Sequence, residues 1–287
     1  MNRRGSNIPR RLSVRDILLQ ASTHPESTPG WAFDRVAKLA ESLGAKVSLG
    51  ICQVHIPPMS NWLANALLSI DGMIAGENKK SAANAEALGS FFKSAIPDAL
   101  RGDCFVINCP GMVTHWQLAV RARTHDLVIV PVYGHAEAIS VAEGLVFESG
   151  RPVLLMPETS GMKFDRIAVA WDGSSVAARA LSDAIPLLRL AKSVAIVQVK
   201  GEKDLSRSAT SSDAIRNLEL HGINAENVDV PVEDRDAAAT LQDYCLRDHR
   251  SLLVMGAFGH SRAREFVLGG VTRSILDSPK LAIFISH

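Results

Sequence analysis

The residues best suited to chemistry lie in one stretch, GAFGHSRAREFVLGGVTRSIL, residues 256–276. Gly256 and Gly259 follow the apolar run that ends at Met255; after nine intervening residues come Gly269 and Gly270, and a helical pattern opens at Val271. Glycines allow positive φ and close backbone approach, and the first N–H groups of a helix have no intrahelical acceptor and carry the positive end of its dipole. Strand, glycine loop and helix start together make an anion site suited to phosphates. The spacing is neither GxxxxGK[ST] nor GxGxxG, so the P-loop and Rossmann dinucleotide patterns are disfavoured. Arg262 and Arg264 on this loop are either a solvated face or a source of charge for phosphates. His260 sits beside them on the loop surface, and no serine, cysteine or carboxylate partner is fixed next to it for catalysis.

Such a loop works only if regular elements hold it. In the second half, β-branched runs predict strands at 166–171, 194–199, 226–231, 251–256 and 281–285, and longer patterns predict helices near 175–190, 210–221, 236–248 and 271–278. The first half reads as strands near 16–21, 47–54, 104–108, 127–132 and 153–156, with a long helical stretch from 62 to 95. Strands alternating with helices imply right-handed βαβ units and a parallel sheet covered on both faces, which places a ligand at the carboxyl ends of the strands. Asp172, before Gly-Ser-Ser at a helix start, is an N-cap or turn residue on this reading.

The chain also repeats itself. Asp16-Ile-Leu-Leu-Gln-Ala-Ser matches Asp165-Arg-Ile-Ala-Val-Ala-Trp at an offset of 149 residues. Cys52-Gln53-Val54 echoes Val197-Gln198-Val199, and LVIVPVYGH (127–135) echoes LLVMGAFGH (252–260) at smaller offsets, as expected when loops shorten and strands persist. A turn-rich segment, Pro157-Glu158-Thr159-Ser160-Gly161, separates the halves. The expected domains are 1–160 and 161–287, in keeping with two domains for 287 residues.

Two glycine pairs at this spacing resemble the G-x2-G-x9-G-[ST] motif of the universal stress protein family, and two five-strand repeats in tandem are similar to its two-domain members. The resemblance implies an α/β fold of two tandem five-stranded parallel doubly wound domains, Rossmann-like and of the adenine nucleotide alpha hydrolase type. It implies a stress-response module in the cytoplasm that binds ATP, ADP or AMP, with or without Mg²⁺, and is not an enzyme. Asp172, with Ala170 and Trp171 before it in AWDGSS, would lie beside the nucleotide, and Val199 would meet adenine through its backbone. Gly256, Gly259, Gly269, Gly270 and Val271 would line ribose and phosphates, with Met255, His260, Arg262 and Thr272 around them. Gly270 departs from the family's Ser or Thr, so one hydroxyl contact is lost, and Thr272 or Ser261 could replace it.

The first half has lost these features. Aligning Gly134-His135 on Gly259-His260 puts Pro131 at Gly256, Glu137 at Arg262, Gly144 at Gly269, Leu145 at Gly270 and Phe147 at Thr272, while Thr23 stands at Asp172. Proline has no backbone donor, a carboxylate repels polyphosphate, and the large side chains fill the space a glycine leaves. The first domain is expected to keep the fold and not the nucleotide.

Composition excludes other classes. With 31 basic and 30 acidic side chains the net charge is +1, so neither nucleic acid nor an anionic membrane is an expected partner. The apolar runs are about a strand long, far short of the ~20 residues that span a bilayer. The opening MNRRGSNIPRRLSVRD reads as a short disordered basic tail without a signal-peptide core, the alternatives being a transit peptide or an anionic-surface tether. Cys52, Cys104, Cys109 and Cys245 form no CxxC pair and read as reduced core residues, with Cys104 and Cys109 on opposite faces of any shared strand. No Walker lysine, carboxylate pair for Mg²⁺ or positioned base is evident, so a regulatory module is favoured over an ATP-hydrolysing or adenylating enzyme, and the intact glycines disfavour a ligand-free scaffold.

The fifth strands, VLLMPE (153–158) and LAIFISH (281–287), are apolar and end each repeat, where a sheet edge must be covered. They are expected to pair antiparallel within the chain as a pseudo-dimer, with a homodimer possible in addition. Deleting residues 281–287 should then lower the thermal stability of both halves, followed by domain-resolved hydrogen exchange; protection unchanged in the first half would exclude the pairing.

Overall fold

The computed structural model describes residues 13–58, 70–134, 137–161, 163–201, 209–232, 236–257 and 270–287. The chain divides into two compact units, one beginning at Asp16 and one beginning at Lys163.

In the first unit the order is β1 (Asp16–Ser22), α1 (Gly30–Leu43), β2 (Lys46–His55), α2 (Ile70–Ala95), β3 (Arg101–Pro110), α3 (His115–Ala122), β4 (Leu127–Val132), α4 (Glu137–Glu148) and β5 (Val153–Pro157). The strands form a parallel sheet in the order β3-β2-β1-β4-β5. In the second unit follow β6 (Arg166–Ala170), α5 (Ser175–Leu188), β7 (Ser193–Lys200), α6 (Ser211–Leu220), β8 (Ala225–Pro231), α7 (Ala237–Arg247), β9 (Leu252–Gly256), α8 (Gly270–Asp277) and β10 (Ala282–Ser286). Its parallel sheet runs β10-β9-β6-β7-β8, so both units are doubly wound with the first strand in the middle.

Burial explains which strands are which. In β6 and β9, residues Ile167–Val169 and Leu252–Val254 are wholly buried, as strands covered by helices on both faces must be. The edge strand β8 is instead largely exposed, with only Val230 buried. Helix α5 buries Ala177, Ala180, Leu181, Ala184, Ile185, Leu187 and Leu188, a stripe at helical spacing packed on β9 and β10. It starts where the Ser174 hydroxyl accepts from the Ala177 N–H at 3.2 Å. Helix α6 opens with a capping box between Thr210 and Asp213, and α7 with Asp236 accepting from the Ala239 N–H at 2.7 Å.

Two expectations need correcting. Strand β3 starts at Arg101 and not Cys104, with a register shift opposite Val47 and Leu49. Cys104 lies on the face of β3 that it shares with Val106 and Asn108, which is exposed, so only Cys52, Cys109 and Cys245 are core residues. Of the helical stretch expected from 62 to 95, residues 62–69 lie outside the described residues and 70–95 are helix.

The amino ends of the second sheet are tied by one buried cation. Arg250 donates through Nε to Asp248 at 2.6 Å and through Nη1 to the Ser193 hydroxyl at 3.0 Å and the Ile167 carbonyl at 3.3 Å, and its Nη2 pairs with Glu226. Arg166 donates to the same Asp248 carboxylate at 2.8 Å. Partial burial alone would raise the Asp248 carboxyl, but the hydrogen bonds from Arg250 and Arg166 outweigh it and hold the group below its ordinary range. Replacing Arg250 by Met should destabilise the second domain by about 1–3 kcal/mol, less than the ~3–5 kcal/mol for breaking a fully buried pair because Asp248 and Glu226 can rehydrate. A carboxyl held low in the fold contributes stability that is complete above its unfolded value and lost as pH falls through the folded one. Urea unfolding below about pH 4 should therefore show a steeper acid decline in the parent than in Asp248→Asn.

Candidate functional site

In the second unit the chain leaves β6 toward β7 on one side and β9 toward β10 on the other. This makes the carboxyl ends of β6 and β9 the topological switch point, where open α/β sheets leave a crevice. Strand β6 ends at Ala170, opposite Val197, and the next N–H, that of Trp171, donates to the Val197 carbonyl at 2.9 Å. The chain then turns. Asp172 accepts from the Ser174 N–H at 3.0 Å and Gly173 takes φ 70°, a left-handed value that glycine adopts without steric cost. The turn role expected of Asp172 is thus present, and it sets the carboxylate at the carboxyl end of β6 beside the capped start of α5.

Strand β9 arrives next to that helix start. A Cβ on Gly256 would lie 2.5 Å from the Val176 carbonyl carbon and 2.6 Å from the Ala177 nitrogen. Only a residue without a side chain lets the backbone of the first turn of α5 meet the end of β9. Met255, one residue earlier, is buried in the core. Helix α8 begins at Gly270, which is exposed and where an added Cβ would meet nothing within 4 Å. Val271 is half-buried, while Thr272 is buried on the same helix face as Ile275 and Leu276. The Thr272 hydroxyl therefore faces the fold, and Thr272 can offer a ligand its backbone N–H only. Gly259, His260, Ser261, Arg262, Arg264 and Gly269 lie outside the described residues.

Val199 is half-buried near the end of β7, opposite Val230. Trp171 is almost wholly buried, and its indole N–H donates to the Ala209 carbonyl at 3.0 Å while the Ala209 N–H donates to Gly173 at 3.4 Å. The segment before α6 is thereby strapped to the turn that carries Asp172. This tether and the packing partners of Gly256, Val176 and Ala177, had no signal in the sequence motifs, because they depend on segments that meet only after folding. Among the described residues no group of three or more His, Cys, Asp or Glu could hold a metal ion, and no helix is long and apolar enough to cross a membrane.

Residues 163–285 match the sequence model of the universal stress protein family. The second domain belongs to the universal stress protein family. The fold agrees over nearly the whole chain: a universal stress protein from Archaeoglobus fulgidus DSM 4304 superposes with a TM-score of 0.66 at 17% identity, covering 94% of this chain and 97% of that one. A putative universal stress protein from Pseudomonas aeruginosa UCBPP-PA14 gives a TM-score of 0.55 at 14% identity, covering 96% and 94%. No curated protein sequence matches the chain.

Beside this universal stress protein domain, the first unit shows what happens to the same positions when polar groups are used internally. Thr23, at the place of Asp172, is buried: its hydroxyl accepts from the Val54 N–H at 3.1 Å and lies 2.7 Å from the Ser81 hydroxyl, which in turn donates to the Val54 carbonyl at 2.7 Å. Asn84 donates to the Thr23 carbonyl at 2.9 Å. Helix α2 thus supplies Ser81 and Asn84 to the end of β1. At the place of Gly269, the added Cβ of Gly144 would run into the His115 ring, whose Nε2 lies within hydrogen-bond distance of Glu148 Oε1 at 3.0 Å. Leu145 is wholly buried and Phe147 half-buried. Pro131 is buried within β4, and the side chain of Glu137 is not among those described.

The two described glycines of the motif, Gly256 and Gly270, should respond differently. Gly256→Ala places a methyl against backbone that cannot swing away and should lower stability by about 1–3 kcal/mol. Gly270→Ala meets open space and should leave it unchanged or slightly raised, because alanine favours helix over glycine by up to ~1 kcal/mol. Thermal melts of the two variants check the contrast.

Proposed function

We propose that the second domain binds one adenine nucleotide per chain, and that occupancy, not turnover, is its signal in a stress response. The observation that carries this reading is the abutment of β9 on the first turn of α5 through Gly256, next to the Asp172 turn. It gathers a carboxylate, a helix start and an open backbone at the switch point of a universal stress protein domain. Asp172 would orient the ribose, the Val199 backbone would meet the adenine edge, and the N–H groups of Gly270, Val271 and Thr272 would face phosphate. Gly256, Gly259 and Gly269 would allow the ligand close to the backbone, and His260 and Arg262 would flank it from the loop.

ATP, ADP and AMP share the groups that this set would recognise. A bound Mg²⁺ would supply charge neutralisation on the phosphates. A module of this kind works where free adenine nucleotides are abundant, which makes the cytoplasm its expected compartment. Phosphoryl transfer would need a placed base or a metal clamp in addition, and Asp172, whose carboxylate already accepts from Ser174, is fitted to positioning.

Calorimetric titration of the full chain with ATP, ADP and AMP, with and without Mg²⁺, should give a single site that is lost in the variant Gly259→Val with Gly269→Val. Two sites of similar affinity, or unchanged binding by the double variant, would overturn the assignment. ATP turnover should take minutes or longer; a kcat on the order of 1 s⁻¹ would make the protein an enzyme.

A further inference from the structure

The first domain carries a second kind of chemistry. Strands β2 and β3 are parallel neighbours in which Cys52 stands opposite Ile107 and Val54 opposite Cys109. Side chains alternate along a strand, so Cys52 and Cys109 share one face and are diagonal neighbours across the pair. That face is covered by α3: Gly50, opposite Phe105, leaves room for Leu118, which a Cβ would approach to 2.9 Å. Both cysteines are buried. We propose that Cys109 and Cys52 form a hydroperoxide-sensitive dithiol, Cys109 being the thiol attacked and Cys52 the one that closes an intramolecular disulfide.

The surroundings of the two sulfurs are unequal. The neighbouring Cys52 thiol is the largest influence on Cys109, and it outweighs the 3.6 Å contact in which the Cys109 Sγ–H donates to the Ile107 carbonyl. Burial opposes the Cys52 influence, the Thr114 backbone N–H and the hydroxyl beside it add to it, and together they bring the Cys109 thiol down to about 6. The Thr114 hydroxyl itself lies beside the sulfur without an aligned hydrogen bond. Thr114 is the N-cap of α3, so Cys109 also lies near the positive end of a helix, where thiolates are stabilised. The same contact with Cys109, and burial, push the Cys52 thiol up, so it keeps its proton until a partner sulfur becomes electrophilic. Cys245, buried in the second domain, is pushed up to about 12, and burial raises the exposed Cys104 as well.

Access comes through the cover. Helix α3 has only eight residues and no side-chain cap bond, and its Trp116 and Val120 face solvent, as does Met112 in the turn before it. Short, thinly packed elements open locally at small free-energy cost. Strand β3 is paired on one side only, so it can take up the shift that an S–S bond requires.

The chemistry balances in two steps. The Cys109 thiolate attacks the terminal oxygen of a hydroperoxide, the S–O bond forms as the O–O bond breaks, and the alkoxide or hydroxide released takes up a proton. Sulfur is oxidised by two electrons and the peroxide is reduced. The Cys52 sulfur then attacks the Cys109 sulfenic acid, S–S forms as S–O breaks, and the departing hydroxide leaves as water with the Cys52 proton.

The test is hydrogen peroxide treatment of the reduced full-length chain in native buffer, alkylation of remaining thiols and peptide mapping. The expected product links the Cys52 and Cys109 peptides with loss of two hydrogens, independent of protein concentration and unchanged in Cys104→Ser. In Cys52→Ser a 1,3-dione should trap the sulfenic acid on Cys109. If Cys104 is oxidised while Cys52 and Cys109 stay reduced in the unsubstituted chain, or if the disulfide includes Cys104 or Cys245, the proposal is overturned without reliance on any variant.

Discussion

Parallel strands held in a covered sheet have their ligand-facing ends on one side only, and in the second domain that side is organised around the contact between Gly256 and the backbone of Val176 and Ala177. The contact brings the start of α5 against the end of β9. The Ser174 cap fixes where the helix begins, the Asp172 turn fixes how the chain leaves β6, and the bond from Trp171 to Ala209 fixes the segment that crosses beside it. None of these side chains needs a ligand to hold its place, which is the preorganisation that a binding site requires.

The opposite end of the same sheet is held by different means. Arg250 draws Asp248, Glu226, Ser193 and the Ile167 carbonyl together at the amino ends of β6, β7, β8 and β9. A buried guanidinium with acceptors on several strands supplies register more than net stability, since its desolvation offsets much of the attraction. With charge spent at the amino ends, the carboxyl ends can be built from turns, caps and glycine. Among the described residues the turn and cap hydrogen bonds there stay local, between Asp172 and Ser174 and between Ser174 and Ala177.

How much of this was legible in the sequence depended on burial. Strands β6, β7, β9 and β10 are continuous apolar runs, and their positions followed from that alone. The edge strands were less legible: β3 has polar and exposed residues up to Asn108, and its start was placed three residues late because Arg101-Gly102-Asp103 carries no apolar signal. Helix α1 was not placed, although Gly44 with φ 63° ends it with a left-handed cap that glycine marks. The cysteine types alone mark all four as core residues, yet Cys104 falls on the exposed face of β3 with Val106 and Asn108. The diagonal meeting of Cys52 and Cys109 depends on the β2–β3 register, which sequence spacing does not contain.

The two domains also show why glycine spacing is an incomplete signal. Gly144 and Gly256 are both glycines that a methyl group would not fit, and in each the excluded volume is already occupied. At Gly144 the occupant is the His115 ring, a side chain held by Glu148, so the missing Cβ serves packing between two helices. At Gly256 the occupant is the backbone of a helix's first turn, whose N–H groups have no partner further back in the helix. A glycine that seats a side chain closes a space, whereas a glycine that seats a helix start brings donors to the strand end. The first domain has taken the former course throughout: Thr23, Ser81 and Asn84 satisfy one another where the second domain presents Asp172 and a turn. What separates the two halves at these positions is therefore the identity of the atoms next to each glycine, and these are set by residues distant in sequence.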